Sequence, residues 1–225
     1  MSTLLEQASL VMIPSGYAED IVYSVIPQSG AGDLAFTRAS NGTRVNSAGL
    51  VEVVPWNLMQ YSEDFTNAIY SKKAGIALTA NATTAPNGTN TATRIYANTN
   101  SSIDYGVFQI LPTQSATLSV YAKKGELNYI YLGFNNDTAS EGVFFNLNTG
   151  AISQNTGGYT ASIESVGNGW YRCIAYFPTI SYCFISPSVN GTSFVFSNQL
   201  NNGLFIYGAQ LNIGSTAKPY FPTTD

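Results

Sequence analysis

The chain has 225 residues, a net charge of −4 and no histidine; 44% of it is hydrophobic and 13% aromatic. Only 10% is charged, against about 25% in ordinary globular domains, and no basic run exceeds Lys72-Lys73 or Lys123-Lys124. Phosphate neutralisation needs clustered cations and a membrane-surface helix needs a basic amphipathic stretch, so neither nucleic acid nor a membrane is expected as a partner.

Met1–Glu6 carries no cationic n-region, and the apolar run from Ala8 to Pro14 is too short for a signal h-region with its cleavage site. No stretch approaches the roughly 20 apolar residues of a membrane span. Synthesis in the cytoplasm without a signal peptide is therefore expected. Residues 1–60 hold short patterned pieces broken by Gly and Pro, among them Leu10–Pro14, Ile21–Pro27, Asp33–Arg38 and Leu50–Pro55. None is long enough for a core of its own, which predicts an extended N-terminal arm for attachment or oligomerisation. Asn41-Gly42, between Thr37-Arg38 and Thr43–Val45, reads as a hairpin turn because both residues tolerate positive φ.

Over residues 61–225 the rhythm changes to strands separated by turn signals about every 8 to 12 residues, the spacing of a sandwich or barrel. A single helical turn is expected around Ser62–Ile69, with Ser62 capping it and Asp64 near its start. Thr117–Ala122 alternates, placing Leu118, Val120 and Ala122 on one face. Asn128–Phe134 sets Ile130, Leu132 and Phe134 opposite Tyr129 and Tyr131. Gly142–Leu147 turns at Asn148-Thr149-Gly150 into Ala151–Gln154, and Thr160–Val166 turns at Gly167-Asn168-Gly169 into Trp170–Phe177. Leu204–Leu211 is the last long strand. The fold expected is all-β, a jelly-roll-type β-sandwich carrying an extended N-terminal arm.

The two cysteines, Cys173 and Cys183, fall on Trp170–Phe177 and Tyr182–Val189. If these form a hairpin around Pro178–Ser181, Cys173 opposes Ser186 and Cys183 opposes Tyr176. The sulfurs are then too far apart for a bridge, whose Cα atoms must approach within about 7 Å. Buried free thiols are expected.

Phe36–Ser40, Thr43–Asn46, Gly49–Glu52 and Asn57–Phe65 together resemble the N-terminal section of phage head- and tail-fibre proteins. Leu118–Gly125, Phe145–Gly150, Gly167–Arg172, Ile206–Leu211 and the closing Tyr220–Thr223 resemble the carbohydrate-binding-module-like sandwich that accompanies it. The resemblance runs from about Leu10 to Thr223. It implies a bacteriophage virion protein, a head fibre, tail fibre or capsid-decoration subunit on the virion surface, and it implies no catalytic residue. Other virion proteins, capsid or tail, are the partners it implies for the arm.

The absence of His removes the commonest general base, the Ser-His and Cys-His pairs and most transition-metal sites. No phosphate-binding glycine loop is present; Gly167-Asn168-Gly169 leads into a strand and reads as a turn. Paired carboxylates are the remaining enzyme chemistry, and Glu19-Asp20, Glu63-Asp64 and Asp137/Glu141 are the closest pairs. Neighbours on a strand point to opposite faces, so these read as solvated acids and no enzyme is expected. Asn135-Asn136-Asp137 supplies oxygens suited to calcium, though the same residues make a loop, and no metal or other cofactor is expected. The sequons at Asn41, Asn87 and Asn190 read as turns. Trp56 and Trp170 read as packing residues. For a glycan-binding alternative, directed at host or mucosal carbohydrate, Tyr129 and Tyr131 on the outward face and Tyr207 are the candidate ring platforms; the competing reading packs them in the second sheet or an interface. The apolar pieces Leu10–Ile13, Ile21–Ile26 and Leu50–Val54 predict a homo-oligomer, a trimer before a dimer.

Overall fold

The computed structural model describes residues 16–18, 21–23, 43–45, 51–53, 57–133 and 141–224. Its contacts divide the chain into two units, Met1–Val54 and Pro55–Asp225. In the first unit, strand β1 (Gly16–Ala18) pairs antiparallel with β2 (Ile21–Tyr23), and β3 (Thr43–Val45) with β4 (Val51–Val53). The Asn41-Gly42 turn, Trp56, the Glu19-Asp20 pair and Asn135-Asn136-Asp137 lie outside the described residues.

The second unit is all-β, with no helix among the described residues. Its strands are β5 (Ser71–Lys72), β6 (Ile76–Thr83), β7 (Ala92–Ala97), β8 (Ile103–Asp104), β9 (Val107–Lys124), β10 (Tyr129–Gly133) and β11 (Gly142–Asn146). They continue with β12 (Ala151–Thr156), β13 (Thr160–Gly167), β14 (Trp170–Ser188), β15 (Val195–Phe196) and β16 (Gly203–Ile213).

Two long strands organise the rest. β9 and β14, of 18 and 19 residues, run antiparallel from Trp170↔Lys123 to Ile185↔Val107, and their register shifts on both sides of Ile180. Pro112 and Pro178 lie at this break. Proline has no N–H to donate, so the ladder is interrupted there and each strand can pass from one layer to the other. In the first layer, residues 170–177 of β14 pair with β13 and with residues 116–123 of β9, and the order continues through β16 and β7 to β6. In the second, residues 184–188 of β14 pair with β10, followed by β11 and β12, while the start of β9 pairs with β5. The strand order ends at β12 and β6 without closing into a barrel.

Inward side chains of both layers meet in one core. Leu118, Val120, Ala122, Cys173, Ala175, Phe177, Leu204, Ile206 and Leu211 come from the first layer, and Ile130, Leu132, Val143, Phe145, Cys183 and Ile185 from the second. The alternation of β9 and β10 thus does what its pattern predicts. The second unit is an all-β sandwich. The Gly167-Asn168-Gly169 turn joins β13 to β14 with φ of +88°, +53° and +77°, a geometry that residues other than Gly and Asn adopt at a cost. The turn at Asn148-Thr149-Gly150 joins β11 to β12.

Three expectations are corrected. Trp170–Phe177 and Tyr182–Val189 do not form a hairpin: Trp170–Phe177 and residues 182–188 lie on the one strand β14, because each half finds its antiparallel partner in the same β9. Cys173 and Cys183 are nonetheless free and buried, and burial pushes the Cys183 thiol up to about 12. No helical turn forms at Ser62–Ile69. Backbone bonds Asp64 N to Tyr61 O, Asn67 N to Asp64 O and Tyr70 N to Asn67 O make successive tight turns, and the Asp64 and Asn67 side chains accept from Thr66 N and Ile69 N. Such side chains compete with helix by bonding their own backbone. Finally, Asn57–Gln60, assigned to the arm by pattern, belongs to the sandwich, where Asn57 and Met59 are buried.

Leu118→Ala removes a fully buried side chain at the centre of the core and is expected to cost about 3 kcal/mol in urea unfolding. Ile110→Ala, at a side chain 70% exposed, is expected to stay within about 0.5 kcal/mol of the unaltered chain.

Candidate functional site

Of the three candidate tyrosines, Tyr131 and Tyr207 are buried and Tyr129 is half-buried. Tyr131 is fully buried on the far side of β10 from the main core, its ring centroid 4.6 Å from Phe144 and 5.0 Å from Phe194. Its ring lies so close to Gly142 that a Cβ there would fall 2.5 Å from the phenol oxygen. The alternation of the strand is as expected, but the second face is covered by Phe194, more than sixty residues away in sequence. Burial raises the Tyr131 phenol, with smaller contributions from Tyr159 and Glu141. Tyr129 is half-buried, with its ring edge against Gly191 in the loop that carries Phe194. Tyr207, 3% exposed, sits in a different environment, and the residues around it form the most elaborated polar site among the described residues.

That site lies on the outer side of the first layer. Ser119 and Tyr121 of β9, Arg172 of β14 and Tyr207, Gln210 and Asn212 of β16 alternate with core residues and so point away from the core. Residues 216–223, beyond β16, lie across them. Asn212 donates to the Thr216 carbonyl (2.9 Å) and accepts from Lys218 N (3.2 Å). Gln210 Nε2 donates to the Lys218 and Pro219 carbonyls (3.1 and 3.3 Å), and its Oε1 accepts from Phe221 N (2.8 Å). Arg172 Nη2 donates to the Lys218 carbonyl (2.7 Å) and to Ser119 Oγ (3.1 Å).

Asn57 connects this tail to the first residues of the sandwich. Its Nδ2 donates to the Ala209 and Phe221 carbonyls (2.9 and 3.0 Å), and its Oδ1 accepts from Met59 N and Leu211 N (3.0 and 3.1 Å). Ser62 N donates to the Thr223 carbonyl (3.1 Å), and Thr223 N donates to Ser62 Oγ (2.9 Å). The beginning and the end of the sandwich are therefore held side by side. Asn57, Ser62, Gln210 and Asn212 are all buried, so each must find partners inside the protein.

One tail side chain is anchored deeply. β16 bulges between Tyr207 and Gln210, with Gly208 at φ +59°, and the Tyr220 ring fills the space a Cβ would need there, at 2.9 Å. Tyr220 meets Tyr121 edge-on (5.6 Å, 86°) and lies 5.9 Å from Tyr207. The Tyr220 hydroxyl contacts Ser62 Oγ (2.9 Å) and donates to Glu63 Oε1 (3.2 Å). Tyr207 donates to the same carboxylate oxygen and accepts from Asn87 Nδ2 (2.8 Å). Trp170 completes the aromatic wall, its Nε1 donating to the Thr84 carbonyl (3.1 Å).

Burial and then Glu63 raise the Tyr207 phenol. For Tyr220 burial again leads; Ser62 opposes it and Glu63 adds to it. Both hydroxyls are thus kept protonated as donors to one carboxylate. Glu63 and Asp64 do not converge: Asp64 is exposed and accepts from Thr66 N and Oγ1. The sequons at Asn87 and Asn190 are turns, in which each Asn Oδ1 accepts from the Thr amide two residues on, at 3.0 Å. Chemically the site is a clasp, built to read the backbone of an extended segment and to seat one aromatic ring.

Pattern reading missed Asn57, Gln210 and Asn212. The available signal was two amides inside an apolar strand, in Ala209-Gln210-Leu211-Asn212-Ile213, where uncommitted surface would more readily carry charge or Thr. No protein-family model matches the chain, and no curated protein matches it.

Because Tyr207 and Tyr220 have folded pKa values above the ordinary tyrosine value of about 10, their contribution is complete below pH 10. Above it the unfolded chain releases protons that the folded chain retains, so stability falls. The melting temperature is expected to drop as the pH rises from about 10, and to drop less in a Tyr207→Phe/Tyr220→Phe chain. Gln210→Ala leaves the Pro219 carbonyl and the Phe221 amide without their partner, while the Lys218 carbonyl keeps Arg172, and is expected to cost about 2 kcal/mol in chemical denaturation.

Proposed function

We propose that the chain is a non-enzymatic structural subunit of a bacteriophage particle, a head-fibre, tail-fibre or capsid-decoration protein displayed on the virion surface. The observation that carries this reading is the clasp. It holds Asn57–Ser62 against Phe221–Thr223 through Asn57 Nδ2, Ser62 N and Ser62 Oγ, so the chain before Asn57 enters the sandwich beside its last residues. A display domain that must hold an orientation relative to its attachment needs such a junction. Low charge and an amide- and hydroxyl-rich surface suit a protein that repeats in many copies on one particle. The ordered motifs from Phe36 to Thr223 supply the phage assignment.

In this reading Met1–Val54 binds a capsid or tail protein and its own copies, with a trimer as the favoured assembly. Burying its apolar pieces between chains gains about 25 cal/mol for each Å² removed from water. The glycan-binding alternative needs ring faces open to solvent, and Tyr131 and Tyr207 offer none.

Mass spectrometry of purified phage particles is expected to find the protein at many copies per particle; particles without it would remove the proposal. Light scattering is expected to show an oligomer for the full chain and a monomer for a chain starting at Asn57.

A further inference from the structure

We infer that Asn168-Gly169, at the tip of the β13–β14 hairpin, is a site of spontaneous covalent modification, where the asparagine loses ammonia and becomes isoaspartate or aspartate. The inference concerns the chemistry of one turn and does not depend on the assembly proposed above.

The reaction needs only the chain and water. The Gly169 amide nitrogen gives up its proton and bonds to Asn168 Cγ; the Cγ–Nδ2 bond breaks, and Nδ2 leaves as ammonia with that proton. The product is a five-membered succinimide. Water opens it at Cγ to give aspartate, or at the backbone carbonyl to give isoaspartate, in which the main chain runs through Cβ and Cγ. A following glycine favours the first step because it has no side chain to shield the attacking nitrogen and few limits on its backbone.

Asn-Gly occurs at Asn41, Asn87, Asn168, Asn190 and Asn202, and the last four lie among the described residues. Three of these are tied. Asn87 Oδ1 accepts from Thr89 N (3.0 Å) and Thr89 Oγ1 (2.7 Å), while its Nδ2 donates to Tyr207 (2.8 Å). Asn190 Oδ1 accepts from Thr192 N and Ser193 N (3.0 and 3.1 Å), and the nitrogen that would attack, Gly191 N, donates to Ser188 Oγ (3.1 Å). Gly203 N likewise donates to Glu126 (3.1 Å), and Asn202 Nδ2 to Gln199 (2.8 Å).

Asn168 differs on each count. It is exposed, and among the described residues no hydrogen bond engages its side chain or Gly169 N. A Cβ built on Gly169 would meet only the Lys123 side chain, at 3.5 Å, and one on Gly167 nothing within 4 Å, so the tip is open to water. The ladder below it is weak. Its register shifts between Ser165 and Gly167, leaving Gly167↔Trp170 as the single pair beyond the irregularity, and β13 is an exposed strand paired with β14 alone. Little has to open for the Asn168 side chain to turn toward Gly169 N. Isoaspartate then lengthens the main chain of a two-residue turn by one methylene. Trp170 is buried and held at the Thr84 carbonyl, so the added length is taken up on the β13 side.

The test is incubation of the folded full-length protein in mildly alkaline buffer, with a parallel sample in urea. Mass spectrometry of the digested chain reads ammonia loss at each Asn-Gly peptide. In the folded chain Asn168 is expected to convert at least about tenfold faster than Asn87, Asn190 or Asn202, since each of those must first release hydrogen bonds. In urea the four are expected to convert at similar rates. A folded chain in which Asn168 stays intact, or converts no faster than the other three, overturns the inference. The same preference for Asn168 in urea also overturns it, because the selectivity would then not come from the fold.

Discussion

Everything distinctive about this sandwich depends on buried amides that have no strand partner of their own kind. Asn57, Gln210 and Asn212 face a surface that, without the tail, would be a polar sheet open to water. With the tail in place they are sealed and fully engaged. The energetic asymmetry of hydrogen bonding makes this a strong constraint: each bond adds modestly, while each buried group left unpaired costs about 1 to 3 kcal/mol. Deleting one of these side chains leaves its partners unpaired under the tail, whereas departure of the whole tail returns both sides to water, so the tail is held by the sum of many modest bonds.

The same constraint explains the layout of the aromatic residues. The bulge at Gly208 leaves space that the Tyr220 ring fills, and Tyr220 brings its hydroxyl to Glu63 beside that of Tyr207. Glu63 follows directly on Ser62, which binds Thr223. A change at any of these positions is therefore felt along the whole junction between the first and last residues of the sandwich. The long strands β9 and β14 provide the rigid base, since each contributes to both layers and carries the core through the bend at Pro112 and Pro178.

Much of this fold is legible in the sequence because it follows from period and turn chemistry. Leu118, Val120 and Ala122 alternate, Gly167-Asn168-Gly169 takes positive φ, and the cysteines remain apart. What pattern alone does not reveal is long-range covering. Tyr131 alternates as an outward residue does, yet Phe194 closes over it. Tyr207 reads as a candidate ring platform until Tyr220 and Glu63 arrive from opposite ends of the domain. The continuity of β14 was hidden by Pro178, which signals a turn locally and marks a change of layer in three dimensions. Ser62 has the chemistry of a helix cap and spends it on Thr223 instead.

Site-resolved amide hydrogen exchange addresses the clasp most directly. The account predicts that the amides of Lys218, Phe221 and Thr223 exchange as slowly as those in the body of β16, although their residues lie outside any strand. Exchange of these three amides at the rate of an unstructured peptide, while β16 stays protected, would contradict it.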